Sequence, residues 1–324
     1  MPFDASLSTA ATVAGLGALA LSFACARLAP RWGLLRDGEQ PRVGGLAVAG
    51  ALALVVALVP EARIPEVLVP AGLALLLGLH DDLTDSPAWL RLLLLTGIAG
   101  VAWALGARID AVTLGGDPIA LVALSAPVTV GLLLVIVVGF DFIDGLDGLA
   151  SSLGLLAAVG LVLLGAPMVL TVGLILALAA FVFGANRPPA SAWLGDAGSN
   201  GLGMLLGTLA VSIPGPLPLV PVLLVFAIPI LDAGLTVVRR LRGDGGLLDG
   251  ELGHLHHRLV QLWGSPVPAL VELLGVATLC TASALLFRTD GRARQALVGA
   301  GFGLVLLLWR TGWISAGRGD PGTR

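Results

Sequence analysis

The sequence has no lysine and no tyrosine, and only 12% of its 324 residues are charged. Soluble domains carry about 25% charged residues, so this composition falls in the membrane class. All 18 basic residues are Arg, and any bound phosphate would have to be held by Arg, His, backbone or metal. There are only two cysteines, Cys25 and Cys280, and both lie in apolar segments, which favours two buried thiols over a disulfide.

A polar stretch long enough to fold as a separate soluble domain is also missing. Hydrophobic residues make up 57% of the chain, and the mean hydropathy is +0.98. Apolar stretches of roughly 17 to 25 residues can cross a bilayer as helices. The sequence therefore predicts an all-α integral membrane protein, with residues 1–324 in a single polytopic domain. About eleven transmembrane helices are expected, at 9–29, 43–60, 65–80, 88–106, 126–142, 150–166, 168–186, 199–213, 217–238, 267–287 and 294–313.

The flanks of these segments predict their orientation. The first apolar segment lacks a basic region and a small-residue cleavage site, so we expect a retained helix rather than a signal peptide. Arg is more frequent on the side that begins with the loop after this segment, which predicts an outside N-terminus and a cytoplasmic C-terminus. On the outer side, residues 107–125 alternate around a Gly-Gly pair and predict a small hairpin.

Four polar clusters lie between the spans, and all of them fall on the predicted cytoplasmic side. They are HDDLTD at 80–85, DFIDGLD at 141–147, NRPPASAWLGDAGSN at 186–200, and a long loop at 239–266 that contains GHLHHR. Unrelated clusters could fall on either side. Their convergence therefore predicts an active site on the cytoplasmic face, built from motif loops at about 80–88, 141–149, 186–199 and 239–266.

Carboxylates at span ends dominate two of these clusters. Asp81 and Asp82 are adjacent, whereas Asp141, Asp144 and Asp147 recur at every third position with glycines between them. Adjacent like charges are unfavourable unless a cation or positive ligand is near, and a carboxylate near the bilayer suggests a functional site. The alternatives are solvated acids at helix ends and glycines that only end a helix.

Two further acids have both a structural and a functional interpretation. Asp196 lies between glycines in WLGDAGSN, just before a span. An Asp or Ser there could cap the helix, but a helix N-terminus also suits a pyrophosphate, and Asp196 could ligate the accompanying Mg²⁺. Asp232 either pairs with Arg239 or Arg240 or has a direct role.

Three of the four histidines, His254, His256 and His257, are clustered next to Arg258. Zinc is one alternative, but no Cys is near and the tight spacing fits tetrahedral ligation poorly. Imidazoles and Arg opposite acids are more typical of anion recognition, here of a phosphate-bearing substrate.

These motifs together resemble those of the polyprenyl-phosphate N-acetylhexosamine-1-phosphate transferases, within glycosyltransferase family 4. The spacing from Asp81 to Arg91 and the HLHHRL form are closer to the undecaprenyl-phosphate GlcNAc-1-phosphate transferase branch than to the MurNAc-pentapeptide branch. The matching segments run in order over about two-thirds of the chain: PRVGG (41–45), HDDLTD with the following Arg (80–91), DFIDGLDGLA (141–150), NRPPASAWLGDAGS (186–199), PILDAGLTVVRR (229–240) and HLHHRL (254–259).

The resemblance implies a reaction at the cytoplasmic face of the bacterial inner membrane. Undecaprenyl phosphate would attack the β-phosphorus of a UDP-sugar, most simply UDP-GlcNAc, and release UMP, as the first membrane step of a cell-envelope polysaccharide. The implied cofactor is Mg²⁺, with Mn²⁺ as a substitute. The expected partners are the two substrates and the lipid bilayer, with no nucleic acid, and a homodimer is a further option.

The resemblance also assigns roles to individual residues. Asp196 would ligate the metal, with Asp141 as a second ligand. Asp81 and Asp82 would handle the lipid phosphate, one of them as the base. The remaining roles are catalytic or substrate-binding: Asp144, Asp147 and Asn186 in the nucleotide pocket, His254, His256, His257 and Arg258 on the sugar-phosphate side, and Gly195 and Arg91 at the substrates.

The chain departs from the family pattern at Val138 and Asp141, where Asn is usual. The extra charge of Asp141 would strengthen metal binding or change the nucleotide pocket, so another UDP-N-acetylhexosamine or UDP-MurNAc-pentapeptide remains an alternative donor. A polytopic carrier or channel is the alternative outside enzymes, but it should carry acids mid-span on facing helices. A CDP-alcohol phosphotransferase would need an Arg soon after Asp144, and none is there.

Overall fold

The computed structural model describes residues 12–17, 20–21, 24, 40–84, 86–241, 253–288 and 293–313. These residues are mostly helical, whereas most of the first predicted span lies outside the described ranges. The helices in chain order are α1 (Gly44–Leu58), α2 (Pro65–Thr84), α3 (Ala88–Leu105), α4 (Ser125–Ile143), α5 (Leu149–Leu164), α6 (Met168–Phe181), α7 (Gly195–Val211), α8 (Leu219–Val225), α9 (Ala227–Leu241), α10 (Leu255–Trp263), α11 (Pro266–Arg288) and α12 (Ala293–Arg310).

Each predicted span from 43–60 onward coincides with a helix, or with a bent pair of helices for 217–238. Among the described residues, five helical stretches are long and apolar enough to cross a membrane alone: α2, α3, Val122–Ile143, Met168–Asn186 and α11. The pair α8 and α9, bent by 82°, adds a sixth if it forms one span, and α1, α5 and Leu297–Arg310 are shorter apolar helices. The chain is thus a helical, membrane-type protein, while the number of eleven spans and their orientation stay predictions.

A small three-stranded sheet covers one end of the bundle. Strand β1 (Ala111–Thr113) pairs with β2 (Ile119–Ala120) in antiparallel fashion, which confirms the predicted hairpin. Strand β3 (Leu217–Pro218) adds to the other edge of β1 in parallel. We call this region, defined by β1 to β3, the sheet end.

Helix α7 is the centre of the bundle, and within it every residue except Asp196 is buried. Five of its 17 residues are glycines, and small residues let neighbouring backbones approach closely. Helices α2 and α4 pack along it, with Leu133 and Val137 of α4 lying against Gly207 and Gly203. Because α4 and α2 run antiparallel to α7, their C-terminal turns meet its N-terminus.

All four predicted motif loops contain helical residues, because neighbouring helices extend into them and α10 lies within the last. Helix α2 continues through Asp81 and Asp82 to Thr84, because the acids that were expected to end it are held by backbone N–H groups, such as that of Ser86. The predicted loop 239–266 contains the last turn of α9 and all of α10, where Leu255 and Leu259 are buried one turn apart. Its central part, 242–252, lies outside the described residues.

Candidate active site

The C-terminal turns of α2 and α4 and the first turns of α3 and α7 meet at the end of the bundle opposite the sheet. We call this the acidic end and define it by Asp81, Asp82, Asp141, Asp144 and Asp196. Contacts of 3.7 Å or less connect acids from three of the four predicted clusters, and the histidines of the fourth line the cavity beside them. The predicted convergence of the clusters on one face is confirmed.

Asp82 holds the start of α7. Its buried carboxylate accepts hydrogen bonds from the backbone N–H groups of Asp196 (3.1 Å) and Ala197 (2.9 Å). These donors have no partner within their own helix, and a carboxylate is a favoured acceptor at a helix N-terminus. Asp82 therefore caps α7, whereas the sequence predicted a possible cap from within WLGDAGSN. The Asp196 side chain, 33% exposed, is left available for another role.

The segment before α7 is held by PRVGG. The N–H of Gly44 donates to the carbonyl of Trp193 at 2.9 Å, and Arg42 lies 3.7 Å from the Asp82 carboxylate. Gly195 has a φ of 76°, in the left-handed region that favours glycine. A Cβ there would also lie 3.0 Å from Oδ2 of Asp82. Backbone geometry therefore accounts for glycine at 195, and its contact with substrate stays a prediction.

Arg91 is the cation at the centre of the acidic end. From the first turn of α3, its guanidinium pairs with Asp81 and lies 3.5 Å from Asp141 and 3.7 Å from Asp196. The hydroxyl of Ser199 donates to Asp141 at 3.4 Å. One guanidinium thus serves three carboxylates, so the acidic end keeps an excess of negative charge. In this structure Arg91 binds acids, and its contact with substrate stays a prediction.

Asp144 and Asp196, which lie outside the predicted spans, have raised pKa values because they are buried among other acids. Burial, and then the nearby Asp196, Asp141 and Asp82, raise the pKa of Asp144 well above its usual value. Burial, and then Asp141 and Asp82, raise the pKa of Asp196 to about 8. With a pKa of about 8, the Asp196 carboxyl group holds a proton at neutral pH unless a cation replaces it. The arrangement therefore favours a positively charged ligand.

Asp147 and Asn186 hold loops together. The Asp147 carboxylate accepts hydrogen bonds from the indole N–H of Trp193 and from a backbone N–H of the same segment, both at 2.9 Å. Buried Asn186, at the end of a π-helical turn that follows α6, accepts a hydrogen bond from Ser151 at 2.5 Å and donates to Ala192 at 2.9 Å. Both side chains are engaged by the protein and neither lines the cavity. In this structure they lie outside that cavity, and their place in a nucleotide pocket stays a prediction.

A cavity of about 830 Å³ opens at the acidic end, between α3, α4, α9 and α10. Its volume is in the usual range for a small-molecule site. The charged lining residues are Arg91, Asp141, Asp144 and Arg240. The apolar lining comes from the inner faces of the same helices and consists of Ala88, Leu92, Leu95, Leu134, Val135, Val138, Phe142, Ala233 and Val237.

The three predicted histidines line this cavity, but Arg258 does not. The Arg258 guanidinium lies 4.8 Å from the ring centroid of Trp313 and donates to the carbonyl of Thr311 at 3.1 Å. These contacts tie α10 to the end of α12. In this structure Arg258 lies away from the cavity, and its place on the sugar-phosphate side stays a prediction.

His256 and His257 are uncharged at neutral pH. Burial, and then the neighbouring His257, lower the pKa of His256 to about 3, while burial, and then His254, lower the pKa of His257. Both ring nitrogens of His256 are buried without a hydrogen-bond partner in the described part of the chain. Gly145 makes room for this ring, since a Cβ there would lie 2.5 Å from its Nε2. In this structure the two rings offer uncharged N–H donors and ring-nitrogen acceptors, and their contact with the sugar-phosphate stays a prediction.

Comparison with known proteins agrees with this geometry. The family model for glycosyl transferase family 4 matches residues 64–213, which include all the acids of the acidic end. A decaprenyl-phosphate N-acetylglucosaminephosphotransferase of Mycolicibacterium smegmatis is 31% identical over 302 residues, which cover 76% of this chain and 72% of the relative. The chain belongs to glycosyl transferase family 4. The resemblance predicted from the motifs is confirmed.

Two further relatives lie in the same part of this family. The protein of the same name from Mycobacterium tuberculosis is 31% identical over 326 residues, covering 84% of this chain and 80% of the relative. A probable undecaprenyl-phosphate N-acetylglucosaminyl 1-phosphate transferase of Bacillus subtilis is 29% identical over 241 residues, covering 70% of this chain and 67% of the relative. The family 4 assignment therefore extends beyond the segment matched by the family model.

The acids of this family 4 transferase suit a hard divalent cation that is completed by a substrate. Asp196 and Asp141, the predicted ligands, offer carboxylate oxygens beside the cavity. Among the described residues, no three His, Cys, Asp or Glu side chains are grouped so that they could hold an ion by themselves. Mg²⁺ commonly takes one or two carboxylates and fills its other positions with water and substrate phosphates. The residues present thus fit a Mg²⁺ that binds together with a diphosphate.

Sequence reasoning missed several residues of the site. Arg42 and Arg240 stand in PRVGG and PILDAGLTVVRR, so the motifs contained the signal, but neither was singled out. Phe142 gave no signal, and its ring lies 5.6 Å below the Arg240 guanidinium. Asp232 was expected to pair with an Arg or act directly, whereas its partner is His254, at 2.7 Å.

Proposed function

We propose that this family 4 transferase moves GlcNAc-1-phosphate from UDP-GlcNAc to undecaprenyl phosphate and releases UMP. The observation that carries the proposal is the cavity, in which acids needing a cation, uncharged imidazoles and an apolar wall face one space. The relatives' names support both substrates, since they pair a polyprenyl phosphate with N-acetylglucosamine.

The apolar wall suits the lipid acceptor. Leu92 and Leu95 of α3 face Leu134 and Val138 of α4 across the cavity. Val138 stands where the family pattern has Asn, so this chain extends its apolar surface one turn closer to the acids. A polyprenyl chain against this wall would place its phosphate beside Asp81 and Arg91. Of the two acids expected to receive that phosphate's proton, Asp81 contacts Arg91, which lines the cavity, whereas Asp82 caps α7. This placement favours Asp81.

The opposite side suits the sugar nucleotide. Arg240 offers a positive charge for a phosphate, while His256 and His257 offer neutral donors and acceptors for the sugar or base. Asp196 and Asp141 would hold Mg²⁺, which, when bound, neutralises charge on the diphosphate. A new bond forms between an oxygen of the lipid phosphate and the β-phosphorus, and the bridging oxygen leaves with UMP. Positioning and charge neutralisation dominate such phosphoryl transfers.

We place the acidic end on the cytoplasmic side of the bacterial inner membrane, where the sugar nucleotide is available. The Arg distribution supports this orientation. A Gly245→Cys variant should then resist an impermeant thiol reagent in intact cells and react in opened ones. Labelling in intact cells would reverse the proposed orientation.

The activity is tested by UMP release from a panel of UDP-N-acetylhexosamines and UDP-MurNAc-pentapeptide, each with undecaprenyl or decaprenyl phosphate. We expect the highest turnover with UDP-GlcNAc, loss of turnover with a chelator, and recovery with Mg²⁺ or Mn²⁺. The lipid panel separates acceptor lengths, since the relatives' names differ in this respect. Purified, folded protein that releases no UMP from any pair would contradict the proposal.

A further inference from the structure

Asp232 is a buried acid that the proposed reaction does not use. It lies in α9 and is only 1% exposed. One carboxylate oxygen accepts a hydrogen bond from the backbone N–H of Leu255 at 2.7 Å, and the other lies 2.7 Å from Nδ1 of His254. Asp232 thus joins α9 to the start of α10 and to the side chain just before it.

The contact bears on the tautomer of His254. Because a carboxylate only accepts hydrogen bonds, we assign the shared proton to Nδ1 of His254. The hydroxyl of Thr236 lies 3.5 Å from the same Nδ1. His254 also lines the cavity, and with Nδ1 turned toward α9, Nε2 is the ring nitrogen left for a ligand. A carboxylate partner that fixes the tautomer and ring orientation of a functional histidine is a recurring arrangement.

The orientation of His254 extends to its neighbours. Its ring stacks on that of His256 with 5.7 Å between centroids and only 7° between planes. On another side, the ring of Phe142 lies 5.0 Å away. Rotation of His254 would therefore disturb the imidazole stack at the cavity, where His256 has both nitrogens unpartnered among the described residues.

We propose that Asp232 is a positioning residue, which holds His254 with Nε2 presented to the sugar nucleotide in the cavity. The inference rests on the proposed function for the identity of that ligand. It assigns to PILDAGLTVVRR a purpose beyond helix packing, because its acid sets the chemistry of a histidine that follows 22 residues later in the chain.

The variant Asp232→Asn distinguishes two roles of Asp232: the orientation of His254 and the attachment of α10 to α9. The amide oxygen can still accept from the Leu255 N–H, so α10 stays attached. The amide nitrogen is a donor and must face an unprotonated Nδ1, which moves the His254 proton to Nε2. Asp232→Ala removes both interactions. Glu272→Gln is the matched control, since Glu272 lies outside the cavity lining and accepts from the indole of Trp263 at 2.7 Å.

The first readout is ¹⁵N NMR of histidine-labelled protein. Only four histidines occur, so His254→Gln assigns the resonances. We expect a protonated Nδ1 in the wild type and in Glu272→Gln, and a protonated Nε2 in Asp232→Asn. Addition of UDP-GlcNAc should shift Nε2 of His254 in the wild type. An Asp232→Asn protein with an unchanged tautomer, or a wild-type Nε2 that responds to no UDP-sugar of the panel, would overturn the proposal.

The second readout is kinetic. We expect Asp232→Asn to lower kcat/KM for the sugar nucleotide by about 10- to 100-fold, as for other residues that orient a functional histidine, with an unchanged KM for the lipid. Full activity in a folded Asp232→Asn protein would show that Asp232 only anchors α10. Turnover by the wild-type protein tests the proposed function separately. The tautomer of His254 is measured without turnover, so a failure of the positioning proposal can be told from a failure of the proposed function.

Discussion

Charged side chains are arranged differently at the two ends of the bundle. At the sheet end, cations meet the carbonyl groups that a helix C-terminus leaves unpaired. Arg63 donates to the carbonyls of Val56 and Ala57, both at 2.9 Å, and Arg288 donates to that of Leu163 at 2.9 Å. Positive charge at a helix C-terminus is stabilising, so these residues serve the helices that they contact.

At the acidic end, the charges at two helix C-termini have the opposite sign. Asp81 and Asp82 lie in the last turn of α2, and Asp141 and Asp144 lie at the end of α4. Negative charge there is unfavourable, and burial makes it more so. Helix stability explains the sheet end, and capping of α7 explains Asp82. It does not explain Asp141 and Asp144, whereas a bound cation or cationic ligand would. The difference supports the acidic end as the candidate site.

The largest expected effect comes from Asp196→Asn, which removes a proposed metal ligand but keeps the size of the side chain. We expect UMP release to fall at least ~100-fold, in the range seen when one electrostatic stabiliser of a transition state is lost. The thermal midpoint should not fall, because the amide has the size and shape of the protonated carboxyl group that it replaces. Near-normal turnover together with unchanged Mn²⁺ binding would contradict the proposal that the acidic end is the active site.

Asp82→Ala is expected to reduce stability as well as activity. It leaves the N–H groups of Asp196 and Ala197 without their acceptor, and a buried donor without a partner costs about 1–3 kcal/mol. Thermal unfolding in detergent measures the loss, and Asp82→Asn, which retains one carbonyl acceptor, should fall between the wild type and Asp82→Ala. Equal stability of all three proteins would show that Asp82 does not hold α7.

A smaller effect is expected from pH. Because the pKa of Asp196 is raised to about 8, a proton competes with the metal below that pH and is absent above it. The Mg²⁺ concentration for half-maximal activity should therefore fall as pH rises from about 6.5 to 8.5, by up to about tenfold per unit below the pKa. A titration of Mg²⁺ at several pH values measures this, and a flat profile would contradict the assignment of Asp196.

The smallest effect is expected at the sheet end. Arg108 pairs with Asp110 at 3.1 Å, and both side chains are more than half exposed. Exposed pairs of this kind contribute about 0–1 kcal/mol. Arg108→Ala should therefore leave UMP release unchanged and shift the thermal midpoint only slightly. A clear loss of activity would mean that the two ends are coupled, and the comparison between them would fail.

Much of the fold could be predicted from the sequence because apolar runs and turn residues act locally. The limits of α1, α3 and α5 and the hairpin of β1 and β2 follow from such patterns. Helix α10 was missed, since its nine residues lie among polar motif residues and its apolar face is narrow. The extension of α2 was missed because Asp81 and Asp82 are stabilised by N–H groups that lie outside their helix.

The sequence predicted which residues belong to the candidate site better than it predicted the role of each residue. The motifs brought Asp81, Asp196 and His254 into one hypothesis, and the structure groups them. The roles of Asp82, Asp147 and Arg258 depended on partners in distant parts of the chain, such as Trp193 for Asp147, and no spacing rule names those partners.

The sequence by itself determined a membrane-type helical protein whose polar motifs share one end, because hydrophobic length and charge placement are properties of single segments. Only the tertiary structure decided which acids are engaged by the protein and which are left available to a ligand. A carboxylate of one helix becomes a cap or stays accessible according to the groups that another helix places beside it. For Asp82 and Asp196, that difference is set by the antiparallel packing of α2 against α7.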